Sequence, residues 1–113
     1  MADACLFCRI IRKEIPAKIV AENEDCFAFR DINPQAPVHI LVVPRAHIRS
    51  VQDVTDPTMI GKLTSMATDL ARREGVADDG YRLVINTNAD AGQTVFHLHL
   101  HLLGGRHLSW PPG

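Results

Sequence analysis

Near its end the chain carries histidine at every second position, and this spacing restricts the possible fold more than any other feature. The segment runs from Phe96 to Gly105 and includes His97, His99 and His101, with leucines alternating between them. A strand sends successive side chains to opposite faces, so the histidines form one row and the leucines another. A helix would scatter the histidines around its axis. We therefore predict a strand whose leucines pack on a core and whose histidines line a wet or functional surface.

A row of imidazoles suits several kinds of chemistry. Histidine titrates near neutrality and can act as a nucleophile, a proton donor or a metal ligand. The alternative explanation is a solvated strand face with no function. Three histidines in register favour a functional centre over that alternative.

The composition is that of one ordinary folded domain. The 113 residues are 46% hydrophobic and 22% charged, with a formal net charge of −1 and a pI near 6.6. This balance provides no excess of positive charge with which to bind nucleic acid or an anionic membrane surface. No apolar run approaches the length of a bilayer span, so we expect a cytoplasmic location. We predict a single domain over residues 1–113, with no nucleic-acid or membrane partner.

The three cysteines, an odd number, argue against a disulfide framework. Cys5 and Cys8 have the spacing of a chelating pair, but a structural zinc site usually has four ligands. The spacing alone leaves open a zinc site and a pair of reduced thiols. Cys26 has no nearby partner and is expected to be an inert buried thiol.

The remaining sequence predicts two helices and four further strands. These predictions rest on apolar periodicity and on the positions of proline and glycine. The helices are a short one within residues 5–13, which Pro16 ends, and a long one over residues 57–74. The strands are Ile19–Glu22 and Cys26–Arg30, joined by a tight turn, a central strand over residues 38–43, and a strand over residues 81–86. Residues 31–37 form a loop that its prolines make rigid.

Two polar features accompany these elements. His39 is the only polar side chain of the central strand, so it is either hydrogen-bonded in the core or part of a site, and the strand alone favours the core. The loop that precedes the histidine row contains Gly92, Gln93 and Thr94. Its glycine lets backbone N–H groups approach a phosphate closely, and Thr94 adds a hydroxyl.

The motif His97-Leu98-His99-Leu100-His101-Leu102-Leu103 resembles the His-φ-His-φ-His-φ-φ signature of the histidine triad (HIT) superfamily. Residues 10–18, 31–37, 92–94, 104–106 and 110–113 resemble its nucleotide-binding Hint branch. The resemblance implies an α+β fold with a five-stranded antiparallel sheet, one long helix and one short helix. It also implies a homodimer in which two sheets form a ten-stranded unit. The strands that the sequence predicts agree with this architecture.

The resemblance implies a purine nucleoside phosphoramidase that needs no catalytic cofactor. His99 would attack the α-phosphorus of adenosine 5′-monophosphoramidate, or of an AMP–amine or aminoacyl-adenylate conjugate, and water would release AMP or GMP from the nucleotidyl-histidine. His101 and Thr94 would assist the leaving group, with Thr94 standing where the family has serine. His97 belongs to the same catalytic row. His39 would orient the triad, which replaces the core role that the strand alone favours.

The resemblance also implies how a nucleotide is held. Asp31 would accept hydrogen bonds from the ribose hydroxyls, Asn86 would contact the sugar and phosphate, and backbone N–H groups of residues 92–94 would bind the phosphate. An apolar slot would accept adenine and guanine alike. The slot residues, which the sequence alone would assign to the core, are Leu6, Phe7, Ile10, Ile15, Phe29 and Ile32.

The resemblance also implies a metal site. Microbial members join the Cys-x-x-Cys pair to two histidines in a structural zinc site, and zinc would withdraw one histidine from the catalytic row. The matching residues here are Cys5, Cys8, His47 and His97.

The tail of residues 109–113 carries the apolar bulk of Trp110, which predicts docking on a partner subunit of a homodimer, near the partner's active site. Its two prolines stiffen the tail and lower the entropy cost of ordering it.

Other functions remain compatible with the sequence. One is a nucleotide-binding regulatory or interaction protein whose hydrolysis is incidental. Another is a dinucleoside polyphosphate hydrolase, which the Trp-Pro-Pro-Gly ending argues against. A purely structural zinc-binding module is the last alternative.

Overall fold

One antiparallel sheet organises the part of the chain that the structure describes. In the computed structural model, which describes residues 4–113, the elements are helix α1 (Leu6–Ile11), strands β1 (Ile19–Glu22), β2 (Cys26–Arg30) and β3 (Val38–Pro44), helix α2 (Thr58–Arg73), and strands β4 (Tyr81–Val84) and β5 (Leu100–Gly104). The strand order is β1-β2-β3-β5-β4, and neighbouring strands are antiparallel. The predicted α+β fold with one long and one short helix is confirmed. Residues 1–3 of the predicted domain lie outside the described residues.

The β1–β2 hairpin forms where the sequence predicts it, because Asn23 closes the turn. The Asn23 side-chain oxygen accepts hydrogen bonds from the backbone N–H groups of Asp25, at 2.9 Å, and Cys26, at 2.8 Å. These bonds let asparagine reverse the chain locally. Arg45 donates to the Asn23 carbonyl, which fixes the turn to the end of β3.

Helix α1 occupies only part of the segment predicted for it. Its N-terminus is capped by Cys5, whose Sγ accepts a hydrogen bond from the Cys8 N–H at 3.4 Å. Beyond Ile11 the chain turns, because Lys13 adopts a left-handed φ of 62° and its N–H donates to the Ile10 carbonyl. The helix therefore ends before Pro16, and the expectation that the proline ends it is wrong.

Helix α2 packs its apolar stripe on one face of the sheet. Asp56 stabilises its start, since its Oδ1 accepts from the Thr58 N–H and hydroxyl at 3.0 and 2.8 Å. The helix begins at Thr58, one residue later than predicted, and Gly75 follows its end with a φ of 76°. The core on this face consists of Cys26, Ala28, Ile40, Val42, Leu63, Ala67, Leu70, Ala71, Val76, Leu98, Leu100 and Leu102.

Helix α1 covers the opposite face of the sheet and forms a second, smaller core there. That core consists of Phe7, Ile10, Phe27, Phe29, Leu41 and Val43. The central strands are therefore buried on both faces, which explains their nearly continuous apolar sequence. Cys26 is fully buried, as predicted, and burial raises the pKa of its thiol, with the Asp25 carboxylate adding to the effect.

The histidine segment keeps its predicted alternation, but only its second half is a strand. β5 begins at Leu100, and the Leu98 N–H donates to the Ile48 carbonyl at 2.6 Å instead of joining the sheet. The leucines pack against α2, and the histidines lie on the opposite face. Because α1 covers that face, His97 is 0% exposed and His99 is 8% exposed. Of the two predicted alternatives, a wet or a functional histidine surface, the wet one is therefore wrong for these two residues, and the functional one stays a prediction.

Neither helix between residues 4 and 113 has the length and apolar composition of a membrane-spanning segment. The longer helix, α2, has 16 residues, whereas a span needs about 20 apolar residues. One face of α2 is buried in the core, and the other carries charged side chains such as Lys62 and Arg72.

We expect Leu63→Ala to destabilise the protein by about 2–5 kcal/mol. Leu63 is 0% exposed between α2 and the sheet, so its truncation leaves a cavity that the surrounding side chains fill only partly. Urea unfolding followed by circular dichroism measures the change. The control is Ser65→Ala on the exposed face of α2, which should change the stability by less than about 0.5 kcal/mol. Equal stabilities of the two variants would contradict this packing.

Candidate active site

A cavity of about 350 Å³ lies between α1, the end of β2 and the histidine segment. Its volume lies within the range of about 300–1,000 Å³ that small-molecule sites have. The lining residues are Leu6, Phe7, Ile10, Ile15, Pro16, Ala17, Phe29, Asp31, Ile32, Leu41, Asn86, Gly92, Thr94, Val95, His99 and His101. Every residue predicted to contact the nucleotide is among them except Gln93. The cavity is also lined by Pro16, Ala17, Leu41 and Val95. Nothing in the sequence distinguishes these four as site residues, because each resembles an ordinary core or loop residue.

Gln93 fixes the loop beside the cavity instead of lining the cavity. It is 4% exposed; its side-chain amide donates to the carbonyls of Arg49 and Val95, and its oxygen accepts from the Asn88 N–H. The backbone N–H groups of Gly92 and Gln93 are also bonded, to the carbonyls of Ala89 and Asn88. Both groups therefore have partners within the loop, and their contact with a phosphate stays a prediction. Thr94 lines the cavity and is the loop's remaining candidate for a hydrogen-bond donor to a phosphate.

The ring of His99 is held in the orientation that suits a nucleophile. Its Nδ1 lies 2.7 Å from the His97 carbonyl oxygen, and because a carbonyl only accepts, Nδ1 carries the hydrogen. The lone pair of the neutral ring is then on Nε2. Phe7 packs against the ring at 5.1 Å between centroids. Burial lowers the pKa of His99 below its ordinary value, which favours the neutral form at pH 7.

A chain of hydrogen bonds fixes the opposite tautomer on His101. The Gln35 N–H donates to His39 Nδ1 at 3.0 Å, and His39 Nε2 lies 2.9 Å from His101 Nδ1. Neutral His39 therefore carries its hydrogen on Nε2 and donates it to His101. His101 then carries its own hydrogen on Nε2. The site thus combines an acceptor nitrogen on His99 with a donor nitrogen on His101.

Burial keeps both histidines of this hydrogen-bond chain, His39 and His101, neutral. Burial lowers the pKa of His39, although the Asp31 carboxylate 3.4 Å from its Nε2 opposes the shift. Burial and the neighbouring His99 and His39 lower the pKa of His101 to about 4. His39 is 6% exposed, so it is both a core residue and a partner of His101. The sequence analysis did not identify Gln35 as a site residue. Its place in the rigid loop, four residues before His39, was the signal that could have indicated it.

The four predicted metal ligands converge behind the histidine row. His97 Nδ1 lies 3.4 Å from Cys5 Sγ and 3.5 Å from Cys8 Sγ, and His47 Nδ1 lies 3.4 Å from Cys8 Sγ. All four donor atoms lie within 4.8 Å of one another. In tetrahedral zinc sites, bonds of about 2.3 Å to sulfur and about 2.0 Å to nitrogen separate neighbouring S and N ligands by about 3.5 Å. The donor set and its spacing therefore fit a structural zinc ion.

The tautomer of His97 also suits a metal ligand. Its Nε2 lies 2.8 Å from the Pro44 carbonyl oxygen, so Nε2 carries the hydrogen and the lone pair on Nδ1 faces the two sulfurs. Burial lowers the pKa of His97 to about 4. The His97 ring does not line the cavity. Its predicted place in the catalytic row is therefore wrong for the ring, and its backbone carbonyl orients His99 instead.

The C-terminal tail runs beside β4. Arg82 donates to the carbonyls of Leu108 and Ser109 at 3.3 and 3.0 Å. Trp110 is 80% exposed. Its predicted location near the site of a partner subunit stays a prediction.

Comparison with known proteins gives consistent matches along almost the whole chain. A family model described as HIT domain matches residues 12–108. The purine nucleoside phosphoramidase of Escherichia coli strain K12 is 49% identical over 110 residues, which cover 96% of this chain and 92% of that protein. An uncharacterized HIT-like protein of Synechocystis is 51% identical over 115 residues and is matched over 100% of both chains.

Solved structures share the same fold. The HIT family hydrolase from Legionella pneumophila is 50% identical and superposes with a TM-score of 0.93, covering 96% of this chain and 99% of that chain. The histidine triad nucleotide-binding protein from Candida albicans is 27% identical with a TM-score of 0.83, covering 96% and 83% of the two chains. The five-stranded sheet and its two helices are therefore the architecture of these proteins.

Purified protein prepared without chelator should contain about one zinc ion per chain. Cys8→Ser should lose the zinc and unfold at a lower temperature, because a metal that binds only the folded state stabilises it. Elemental analysis and thermal unfolding measure both quantities. Cys26→Ala is the matched control, because Cys26 is a buried thiol outside the cluster, and it should retain zinc. Far less than stoichiometric zinc in the unmutated protein would refute the site.

Proposed function

This chain belongs to the HIT family, and from that premise we propose that it is a phosphoramidase that hydrolyses the P–N bond of purine nucleoside 5′-phosphoramidates. The observation that carries the proposal is the pair of fixed tautomers in one cavity: an unprotonated Nε2 on His99 and an Nε2–H on His101. A nucleophile beside a hydrogen-bond donor that stabilises negative charge on the phosphate suits displacement of an amine from phosphorus. The similarity to the E. coli phosphoramidase supports the same reaction.

In the first step His99 Nε2 attacks the α-phosphorus. The bond from Nε2 to phosphorus forms as the bond from phosphorus to the amine breaks. The substrate nitrogen takes up a proton from water and leaves as a neutral amine, while the His101 Nε2–H donates a hydrogen bond to a phosphate oxygen and His101 stays neutral. The phosphorylated His99 ring then carries a positive charge, and its Nδ1–H remains bonded to the His97 carbonyl, 2.7 Å away in the free protein. That carbonyl dipole stabilises the charge as it develops.

In the second step water replaces the histidine. Water attacks phosphorus, the P–O bond forms and the P–Nε2 bond breaks, and the proton that the water gives up passes to solvent, which balances the proton taken up by the amine. AMP or GMP leaves, and His99 returns to its starting tautomer while His101 keeps its own. His39 is a positioning residue, because it acts through its hydrogen bond to His101. The Thr94 hydroxyl is proposed to bind a phosphate oxygen or the leaving nitrogen.

The remaining lining residues suit a purine nucleoside. Asp31 is proposed to accept from the ribose hydroxyls, and its Oδ1 is oriented by the Asn33 N–H at 2.8 Å. Asn86 is proposed to contact the sugar and phosphate. The apolar slot offers contact area, and two of its residues lie at the open side of the cavity, Leu6 at 44% exposure and Ile32 at 97%. A bound base would cover both.

A homodimer is part of the proposal. β4 is an edge strand whose four residues are all partly exposed, and an unpaired edge is a template for a neighbouring strand. Pairing two copies there would give the ten-stranded unit. Trp110, anchored near β4 through Arg82 and 80% exposed, would then lie against the partner near its leaving-group side.

His99→Ala should abolish release of AMP from adenosine 5′-monophosphoramidate while keeping AMP affinity within about tenfold, or about 1.4 kcal/mol. The contacts to base and ribose remain in this variant, so only the nucleophile is lost. Turnover assays and calorimetric AMP titration measure the two effects. His107→Ala replaces an exposed histidine outside the cavity and is the control. Near wild-type turnover in His99→Ala would refute the mechanism.

The pH dependence of kcat/KM should reflect the neutral state of His39 and His101. Protonation of His101 on Nδ1 would break its bond to His39, but burial lowers its pKa from 6.5 to about 4. We therefore expect kcat/KM to stay level as the pH falls from neutrality through 6.5 and to decline only below that value. Circular dichroism at each pH excludes acid unfolding as the cause. An acid limb with its midpoint at or above pH 6.5 would contradict a buried neutral His101.

Deleting residues 109–113 should leave the dimer and AMP binding largely intact and should alter the preference among leaving-group amines. The proposed main interface and the purine slot lie outside the tail, whereas Trp110 is proposed to lie near the partner's leaving group. Sedimentation and relative rates with small and bulky amines measure these effects. A monomer at micromolar concentration, or unchanged relative rates in the truncated protein, would contradict this assignment.

A further inference from the structure

The loop between β4 and β5 presents a polar side chain to the candidate active site at each of its ends. Asn86 and Thr94 line the cavity, and both are proposed to contact the phosphate end of a nucleotide. Between them, residues 88–92 are exposed, and Ala89–Ala91 form one turn of 3-10 helix. Exposed loops are mobile unless internal bonds restrain them. The placement of the two polar side chains therefore depends on what closes the loop.

Gln93 closes the loop at its base. It is buried, and its Oε1 accepts a hydrogen bond from the Asn88 N–H at 2.8 Å, while its own N–H donates to the Asn88 carbonyl at 3.0 Å. Its Nε2 donates to the carbonyls of Arg49, at 3.0 Å, and Val95, at 3.2 Å. Because a backbone N–H only donates and a carbonyl only accepts, these partners also fix which way the side-chain amide points.

Asn88 has a backbone conformation that asparagine does not favour. Its φ is 66° and its ψ is −172°, a combination that in practice only glycine adopts without strain. Such a conformation persists only where the surrounding structure holds it. Here the N–H and the carbonyl of Asn88 are both bonded to Gln93. Without these two bonds, we expect Asn88 to relax and the loop to change shape.

The Gln93 amide also attaches the loop to a segment that is itself fixed. The carbonyl of Arg49 accepts from Gln93 Nε2, and the preceding carbonyl, of Ile48, accepts from the Leu98 N–H at 2.6 Å. Leu98 immediately precedes His99, the proposed nucleophile. Gln93 therefore connects the loop to the segment that carries this nucleophile.

We propose that Gln93 is a positioning residue that holds the phosphate end of the cavity in shape before a nucleotide binds, by keeping Asn88 in its strained conformation. Gln93 does not line the cavity, so its side chain acts through Asn86 and Thr94. The inference rests on the proposed nucleotide site and adds the residue that preorganises it. A loop that is already ordered binds a phosphate without the entropy cost of being ordered on binding.

The test compares the affinities of AMP and adenosine by calorimetry, because the two ligands share base and ribose and differ only in the phosphate. Gln93→Met nearly keeps the size of the side chain and removes its hydrogen bonds. AMP affinity should fall about tenfold in this variant, whereas adenosine affinity should change by less than about twofold. Gln52→Met makes the same substitution at an exposed position outside the cavity. It is the matched control and should leave both affinities unchanged.

The strain at Asn88 is tested by thermal unfolding of two further variants. Asn88→Gly should unfold at a higher temperature than Asn88→Ala, because glycine adopts a φ of 66° without strain and alanine does not. At ordinary helix and strand positions alanine is the more stabilising of the two. An Asn88→Ala protein that unfolds at the same temperature as Asn88→Gly, or at a higher one, would overturn the inference.

Equal falls in AMP and adenosine affinity in Gln93→Met, or no fall in either, would overturn the inference and leave the phosphoramidase proposal intact, because neither measurement involves turnover. Wild-type protein that binds both ligands equally would also overturn the inference. If Gln93→Met does not fold, Gln93→Asn replaces it with the same expectation, since its shorter amide cannot reach Asn88 and Arg49 together. A preference for AMP that Gln93→Met loses supports the inference even if the wild-type protein releases no AMP from adenosine 5′-monophosphoramidate, a result that would overturn the phosphoramidase proposal alone.

Discussion

The hydrogen bond from His99 Nδ1 to the His97 carbonyl is the interaction on which the rest of the site depends. It is short, at 2.7 Å, and buried, so it strongly favours one tautomer and one ring orientation. With the other tautomer, Nε2 would carry a hydrogen and could not attack phosphorus. The proposed attack on phosphorus, and the role of His101 beside it, both presuppose the lone pair that this bond leaves on Nε2.

The same bond connects the proposed nucleophile, His99, to the candidate metal centre. His97 supplies the carbonyl to His99, while its ring bonds Pro44 through Nε2 and faces Cys5 and Cys8 through Nδ1. A zinc ion there would tie α1 to the histidine segment and hold that carbonyl still. The metal would then support catalysis through position alone, because the proposed chemistry uses no metal-bound water.

The sequence predicted the elements well where local signals were strong, as in the Asn23 turn, the alternation of leucines with histidines and the stripe of α2. Most residues of the cavity were also predicted, but through resemblance to a family, since Leu6 or Phe29 alone cannot be told from a core residue. The errors at His97 and Gln93 have a common physical cause. Burial of His97 and the bonding of Gln93 depend on α1 and on residues far along the chain, which local patterns do not report.

The most direct test of the central claim is nitrogen-15 NMR of the histidine rings in the free protein at neutral pH, because ring nitrogen shifts distinguish protonated from unprotonated nitrogens. The account predicts opposite tautomers in one site, with hydrogen on Nδ1 of His99 and on Nε2 of His101. Hydrogen on Nε2 of His99, or a doubly protonated His99 ring at pH 7, would contradict it.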